Sequence, residues 1–404
     1  MRILQITPYF APAYSYGGPP ETVHKLSQAL AKLGHEVTVL TTDAFSSTKR
    51  QSLKHETNSL DVYYLRNLSN YLAWNHQLFL PLGTRGFLRK RGKNFDIIHL
   101  HSFRTYQNVV AWREARHFGT PYVFSAHGSI PRIVRKRLAK SLFDVIAGRR
   151  FLHDASRLIA VSRAELLQYR EMGVSPSKIV VIPNGIDAGQ YSQLPPHGSF
   201  SSQWGLNGKK LITYVGRLNR RKGLDTLLDA FRKLCNDHSD LMLVLVGPDD
   251  GYRGQIQRRT RLLSLGDRVV LTGLITLPEK LAVLSDSDVV VYPGSYEIFG
   301  LVPFEALLCG RPVVVADDSG CGEIIAEARG GITFPVGEAS SLAEAISTAL
   351  SGGDSINAMI ERGRKFVLKE LEWGRIAKDT EYTYQIAIRE HLATREPTRP
   401  AEAT

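Results

Sequence analysis

Residues Leu211–Asp225, LITYVGRLNRRKGLD, decide how this chain is read. Leu211–Val215 is a short apolar run closed by Gly216, the signature of a buried strand, and a helical pattern takes over at 224–234. The turn between them carries Arg217 and Lys222. The same succession extends in both directions. Downstream, Met242–Val246, Val269–Thr272, Val289–Tyr292 and Pro312–Ala316 read as buried strands, separated by helical patterns at 279–285, 302–308 and 341–350. Upstream, strands are predicted at Arg2–Thr7, Glu36–Thr41, Val62–Leu65, Asp96–His101, Tyr122–Ala126, Leu158–Val161 and Lys178–Ile182. Between the first two, Val23, Leu26, Leu30 and Leu33 line one face of a helix that Gly34 is placed to end. Such alternation implies an α/β fold, with parallel sheets covered by helices on both faces.

At 404 residues the chain has room for two or three domains of roughly 150 residues each. The segment Ala188–Gly208 is rich in Ser, Gln, Gly and Pro and reads as the linker between two doubly wound domains, 1–187 and 188–374. The tail at 392–404 lacks apolar periodicity and reads as frayed. Cys235, Cys309 and Cys321 are odd in number and include no CxxC pair, which excludes a disulfide scaffold and suits a reducing cytosol. The start reaches Pro8 too early for a signal-peptide apolar region. The longest uncharged stretch, Asn67–Thr84, is interrupted by Asn70, Asn75, His76 and Pro81, so no membrane-spanning helix is expected. A cytoplasmic location follows as the expectation.

Charge is unevenly distributed. The net +12 divides into +14 over residues 1–195 and −2 over 196–404. The densest basic clusters are Arg85, Arg89, Lys90, Arg91 and Lys93, then Arg132, Arg135, Lys136, Arg137, Lys140, Arg149 and Arg150. They are interleaved with Phe87, Leu88, Ile133, Val134, Leu138, Leu142 and Phe143. Such clusters suit nucleic acid or an anionic membrane. A nucleic-acid module is disfavoured, because the chain carries no recognisable binding motif and its clusters have few aromatics for base stacking.

Two constellations carry chemistry. Arg217 and Lys222 lie at the positive end of the helix that begins near Leu224, where cations belong only if an anion compensates them; an Arg fork and a Lys point charge there suit a diphosphate. The turn matches neither GxxxxGK[ST] nor GxGxxG, so neither a Walker loop nor a dinucleotide fingerprint is present. The second constellation is Glu297 and Glu305, with seven residues between them. Glu297 follows a buried strand in a loop, and Glu305 falls in an apolar helical segment where a carboxylate needs polar partners such as ligand hydroxyls. The amides of Phe299, Gly300 and Leu301 precede that helix and suit phosphate. No DxD triplet ends a strand; Asp249-Asp250 and Asp317-Asp318 read as solvated turns, and no metal site is predicted.

The segment Glu297–Glu305, EIFGLVPFE, resembles the E-x7-E motif of retaining glycosyltransferases of GT-B architecture, family 4. The resemblance runs along nearly the whole chain. Pro12–Gly18 is similar to the family's N-terminal glycine loop, and Ser125-Ala126-His127-Gly128 to its central His segment. Val161-Ser162, Ile182–Asp187, Tyr214–Arg217, Lys222-Gly223, Val246-Gly247-Pro248, Thr272-Gly273 and Gly320–Ile324 follow in the family's order. Cys321 departs from the commonest pattern, which has Gly or Pro there, and reads as a tolerated small residue.

The resemblance implies two Rossmann-like domains facing across a cleft, the first for the acceptor and the second for the donor. A terminal helix at about 375–391 would pack back on the first, and closure about the linker would exclude water. It implies a hexosyltransferase that uses a nucleoside-diphosphate sugar as co-substrate, with retention of configuration and neither cofactor nor metal. Arg217 and Lys222 would hold the diphosphate, Glu305 the ribose and Glu297 the sugar hydroxyls. The backbone of Phe299, Gly300 and Leu301 would lie near sugar and phosphate. Gly18 would admit the donor closely, His127 would hydrogen-bond the sugar, and Thr272, Gly273 and Leu274 would flank the base. The acceptor is expected to be lipid-linked or a saccharide of cell-surface glycan assembly, offered from an anionic membrane that the basic first domain touches. A sugar-nucleotide epimerase or a glycogen-synthase-like polymerase would use the same architecture.

Overall fold

The computed structural model describes residues 1–46, 49–51, 60–131 and 137–394. The chain divides into two compact units, Met1–Gly185 together with the segment from Trp373 onward, and Ile186–Glu372. Each is built on one parallel sheet.

The first unit has seven strands: β1 (Arg2–Ile6), β2 (Glu36–Thr42), β3 (Asp61–Leu65), β4 (Ile97–His101), β5 (Tyr122–Ser125), β6 (Arg157–Ala160) and β7 (Ile179–Val181). Their order across the sheet is β3-β2-β1-β4-β5-β6-β7. The second unit has six: β8 (Lys210–Val215), β9 (Leu241–Val246), β10 (Val269–Gly273), β11 (Val289–Tyr292), β12 (Val313–Ala316) and β13 (Ile332–Phe334), in the order β10-β9-β8-β11-β12-β13. In each sheet the order reverses direction once, between β1 and β4 and between β8 and β11. Beyond the carboxyl ends of such neighbouring strands, open α/β sheets leave a crevice for ligands.

The second unit shows why its strands read as continuous apolar runs. Every residue of β9 is buried. Met242, Val244 and Val246 join one core, while Leu241, Leu243 and Leu245 join the core on the opposite face. The helix Leu224–Leu234 lays Leu224, Leu227, Leu228, Phe231 and Leu234 on that second face. The first unit is likewise cored on both faces. One of its cores includes Ile376, Ala377, Tyr384 and Ala387 from the helix Trp373–Ala393, which packs beside the helix Pro19–Lys32.

The segment Ala188–Gly208, expected as a linker, is instead part of the second unit. Tyr191, Phe200 and Leu206 are buried in its core. The Asp286 carboxylate accepts from the Gly198 and Ser201 amides at 2.6 and 2.9 Å. Its Ser- and Pro-rich composition reflects tight turns between buried anchors rather than a free tether. The chain passes from one unit to the other at Gly185–Ile186 and again at Glu372–Trp373. Of the tail read as frayed, residues 395–404 lie outside the described residues. Among the described residues no helix is long and apolar enough to cross a membrane.

Candidate functional site

The second unit gathers its polar groups at the β8/β11 crossover. Gly223 ends the turn after β8 with φ of +65°, and a Cβ there would strike the Pro293 carbonyl. Only glycine lets the β8 turn lie so close to the loop after β11. That approach brings Lys222 to Glu297. The Lys222 ammonium donates to Glu297 Oε1 and sits 5.7 Å from the centre of the Tyr292 ring. Tyr292 donates to Glu297 Oε2 at 3.1 Å. The lysine and glutamate side chains are each 16% exposed, so the pair is little screened by salt, and removing either partner would leave a buried charge uncompensated. Burial and then the Glu297 charge push the Tyr292 hydroxyl far above the usual tyrosine range, which keeps it a donor. The loop is fixed further by Gly320 N, which donates to the Glu297 carbonyl at 2.8 Å.

Gly300 lies against Tyr292, and a Cβ there would stand 2.5 Å from the ring. Phe299 stacks on Phe304 at 5.4 Å, and Leu301 is the residue from which the helix Val302–Leu308 starts. Glu305, in the first turn of that helix, accepts from Lys280 Nζ at 2.8 Å through Oε1. Its Oε2 is buried and has no partner among the described residues. Cys321 is fully buried, and burial pushes its thiol well up, so it stays protonated and is no nucleophile.

Arg217 is the outlying member. It is about half exposed and pairs with Asp250 at 3.2 Å, an oxygen it shares with Asn219 Nδ2 at 3.1 Å. Thr272 and Gly273 end β10, where the Gly273 carbonyl accepts from Gly247 N and from Thr272 Oγ1, each at 2.9 Å; Leu274 is exposed. Asp249 is a local cap whose Oδ1 accepts from the Tyr252 and Arg253 amides.

Gly18 and His127 belong to the first unit. Gly18 opens the helix Pro19–Lys32 with an ordinary φ of −69°, and a Cβ there would meet nothing within 4 Å. His127 follows β5 with φ of +51°, a left-handed conformation that costs a non-glycine residue about 1 kcal/mol. Glu165 props this turn. Its buried carboxylate accepts from Gly128 N at 2.6 Å and Val161 N at 2.9 Å, and burial raises it to about 7. His127 Nε2 lies 2.9 Å from His101 Nδ1, and His101 Nε2 lies 2.6 Å from Gln5 Oε1. Gln5 Nε2 donates to Tyr384 at 3.2 Å; the Tyr384 hydroxyl is 2.7 Å from His99 Nδ1, and His99 Nε2 is 2.8 Å from Ser125 Oγ. Burial drives His99 and His101 well below the usual histidine range and His127 to about 4, so all three are neutral at pH 7.

Sequence reasoning did not single out Tyr292, Lys280, Gln5, His101 or Glu165, and it read Asp250, the partner of Arg217, as part of a solvated turn. His99 and His101 carry a usable signal, since residues two apart share one face of a strand. Lys280 and Gln5 carry none, because their partners are remote in sequence. Among the described residues no three His, Cys, Asp or Glu side chains are grouped to hold a metal ion.

The basic clusters also resolve into different things. Leu88 is buried, Phe87 packs against Tyr63, and Arg85 and Arg89 pair with Glu114, so the apolar members of the 85–93 cluster serve the core and offer nothing to a membrane. Arg132, Ile133, Val134, Arg135 and Lys136 lie outside the described residues. Phe143 packs edge-on against Phe103 at 5.8 Å. Leu138 and Leu142 are exposed, at 88% and 62%, and are joined by Val145 and Ile146 at 71% and 70%.

Two family models match the chain: Glycosyltransferase Family 4 over residues 16–190 and Glycosyl transferases group 1 over 199–366. An uncharacterized glycosyltransferase of Methanocaldococcus jannaschii is 27% identical over 403 residues, covering 96% of this chain and 99% of that one. A glycogen synthase of Mycobacterium tuberculosis is 25% identical over 416 residues, covering 96% and 95%. The structure of Anabaena HepE in complex with UDP and glucose superposes with a TM-score of 0.75 at 20% identity, over 95% of this chain and 99% of that one; at that identity the likeness speaks for the GT-B fold alone.

Proposed function

This chain belongs to the family 4, group 1 glycosyltransferases, and on that premise we propose that it moves a sugar from a nucleoside diphosphate to a hydroxyl acceptor, with retention of configuration and without a metal. The observation that carries this reading is the Lys222–Glu297 pair at the β8/β11 crossover, together with a buried Glu305 oxygen, in the helix that follows the same loop, that has no partner among the described residues. A buried cation, an acceptor carboxylate and helix-start amides in one place match a ligand that is anionic at one end and hydroxylated at the other.

In this reading Arg217 and Lys222 hold the diphosphate. As the bond from the anomeric carbon to phosphate breaks, its electron pair leaves with the phosphate, and the two cations stabilise the growing charge. The acceptor hydroxyl attacks from the face the phosphate is leaving, and its proton passes to the departing phosphate oxygen. Glu297, braced by Lys222 and Tyr292, orients the sugar hydroxyls. Glu305 Oε2 takes a ribose hydroxyl. The amides of Phe299, Gly300 and Leu301 face sugar and phosphate, Thr272–Leu274 flank the base, Gly18 leaves room for the donor, and His127 hydrogen-bonds the sugar. A panel of nucleotide sugars scored by thermal shift and then by turnover tests the reading. No stabilisation by any donor, with Arg217→Ala and Lys222→Ala silent, would defeat it.

The acceptor is proposed to be a lipid-linked precursor of cell-surface glycan presented at the cytoplasmic face of an anionic bilayer. Leu138, Leu142, Val145 and Ile146 form an exposed aliphatic stripe between the exposed Arg137 and the exposed Arg149 and Arg150. Aliphatic side chains flanked by guanidinium groups match acyl chains beneath anionic headgroups. We expect sedimentation with anionic vesicles at low salt and its loss in Leu138→Asp/Ile146→Asp; a wild-type protein that stays in the supernatant removes the membrane from the proposal. The similarity to a glycogen synthase favours a second reading, a polymer acceptor, which elongation of an α-glucan without lipid would establish.

A further inference from the structure

The buried chain of side chains behind His127 has a direction, and that direction bears on what His127 binds. Gln5 is completely buried on β1, and its amide touches His101 Nε2 with oxygen and Tyr384 with nitrogen. An amide oxygen only accepts and an amide nitrogen only donates. At 2.6 Å the contact to His101 is at the short end even for N–H···O, which places the oxygen there. His101 therefore carries its proton on Nε2. A neutral imidazole has one, so His101 Nδ1 is an acceptor, and the atom 2.9 Å from it, His127 Nε2, must donate. In the other direction, Tyr384 accepts from Gln5 and gives its own proton to His99 Nδ1, and His99 Nε2–H donates to Ser125 Oγ. Every bond in the chain is satisfied in this sense.

With its proton on Nε2, His127 presents Nδ1 as a lone pair, and among the described residues nothing bonds it. We infer that Gln5 is a positioning residue that fixes His127 as a hydrogen-bond acceptor, so that the ligand group met there is a hydroxyl and not a carboxylate. The inference about ligand rests on the proposed sugar transfer; the tautomer itself does not. A hydroxyl donates to Nδ1, whereas a carboxylate brings lone pairs against a lone pair, and burial makes a rescuing second proton on the ring costly.

The test begins on the free full-length protein labelled with ¹⁵N-histidine. Long-range ¹H–¹⁵N spectra near pH 7 report which ring nitrogen bears the proton, and His127→Asn assigns the signal. The expected result is a pure Nε2–H form for His127 and also for His99 and His101. An Nδ1–H or doubly protonated His127 would overturn the inference. In Gln5→Leu the His127 signal should become an average of both tautomers, and Tyr384→Phe, which removes the acceptor that orients the Gln5 amide while keeping the ring, should shift it the same way. An unchanged pure form in both variants would remove Gln5 from the account.

The donor selected by the thermal-shift panel and its analogues in which each sugar hydroxyl in turn is replaced by hydrogen then read the consequence. One of these deoxy analogues should bind the wild type at least about tenfold more weakly than the parent donor, and Gln5→Leu should narrow that ratio. If no deoxy analogue shows a ratio that Gln5→Leu narrows, the hydroxyl assignment is refuted. If the panel yields no donor, the donor reading fails while the spectra still decide the tautomer.

Discussion

The two units use one architecture to opposite electrostatic ends. At the β8/β11 crossover the second unit keeps its charges: Lys222 against Glu297 and Lys280 against Glu305, each pair largely shielded from water. Behind β4 and β5 the first unit has removed them, with three histidines held neutral by burial and linked only by neutral hydrogen bonds. A charged pair can exchange a partner for an incoming phosphate. A neutral chain cannot attract an ion, but it can fix which atom donates and which accepts. The same surface geometry thus supports recognition by charge in one place and recognition by proton position in the other.

The largest effect expected from breaking this contrast is on the charged side. Lys222→Ala strips Glu297 of its cation and, in the proposed transfer, the phosphate of its neutraliser. We expect kcat/KM to fall by about 2–4 kcal/mol in transition-state terms, roughly 30- to 1000-fold, measured by steady-state turnover on the best donor. A change below threefold would mean that the pair is structural.

The neutral side is sharpened by acid. Burial lowers the folded pKa of His127 to about 4 from the ordinary 6.5, so the folded protein binds fewer protons in that window. Stability supplied this way is complete above about pH 6.5 and is lost as pH falls through 6.5 toward 4. For His127 alone the loss is at most about 3 kcal/mol, and less because its ring is partly exposed. Glu165, raised to about 7, acts in the reverse sense and loses stability as pH rises through the window from 4.5 to 7. Urea unfolding from pH 7 to 4 should therefore show a shallower decline in His127→Asn and a steeper one in Glu165→Gln.

The smallest effect belongs to the exposed pair. Asp250→Asn should change stability by no more than about 1 kcal/mol, because Arg217 and Asp250 are both nearly half exposed. A thermal-melt difference beyond that bound would show the pair to be tighter than its exposure suggests.

How much of this was legible in the sequence differs by feature. Strands β9, β11 and β12 announce themselves because burial on both faces leaves no charged or amide residue to blur the run, and β8 does so despite Thr213. β13 does not, being three residues long with Thr333 exposed at its centre. The helix Gly320–Ala328 hides behind its Gly-Cys-Gly start, although Ser319 caps it through the Gly322 amide. The Ala188–Gly208 segment reads as a linker because Ser, Gly and Pro mark turns whether or not Tyr191 and Phe200 are anchored beneath them. At the site, Lys222, Glu297 and Glu305 stand within recognisable local patterns. Gln5, Lys280 and Tyr384 act on partners that only the folded sheet brings near, and local spacing is silent about them.

The helix Trp373–Ala393 has a consequence for the order in which the protein can be made. The second unit is continuous in sequence and complete once Glu372 has been synthesised. The first unit emerges earlier but lacks Ile376, Ala377, Tyr384 and Ala387 from its core until residues 373–393 leave the ribosome. Of the two units, the one translated first is therefore the one completed second, and a premature stop near residue 372 would leave a sequence-complete second unit joined to an unclosed first one, with the Gln5 amide deprived of Tyr384.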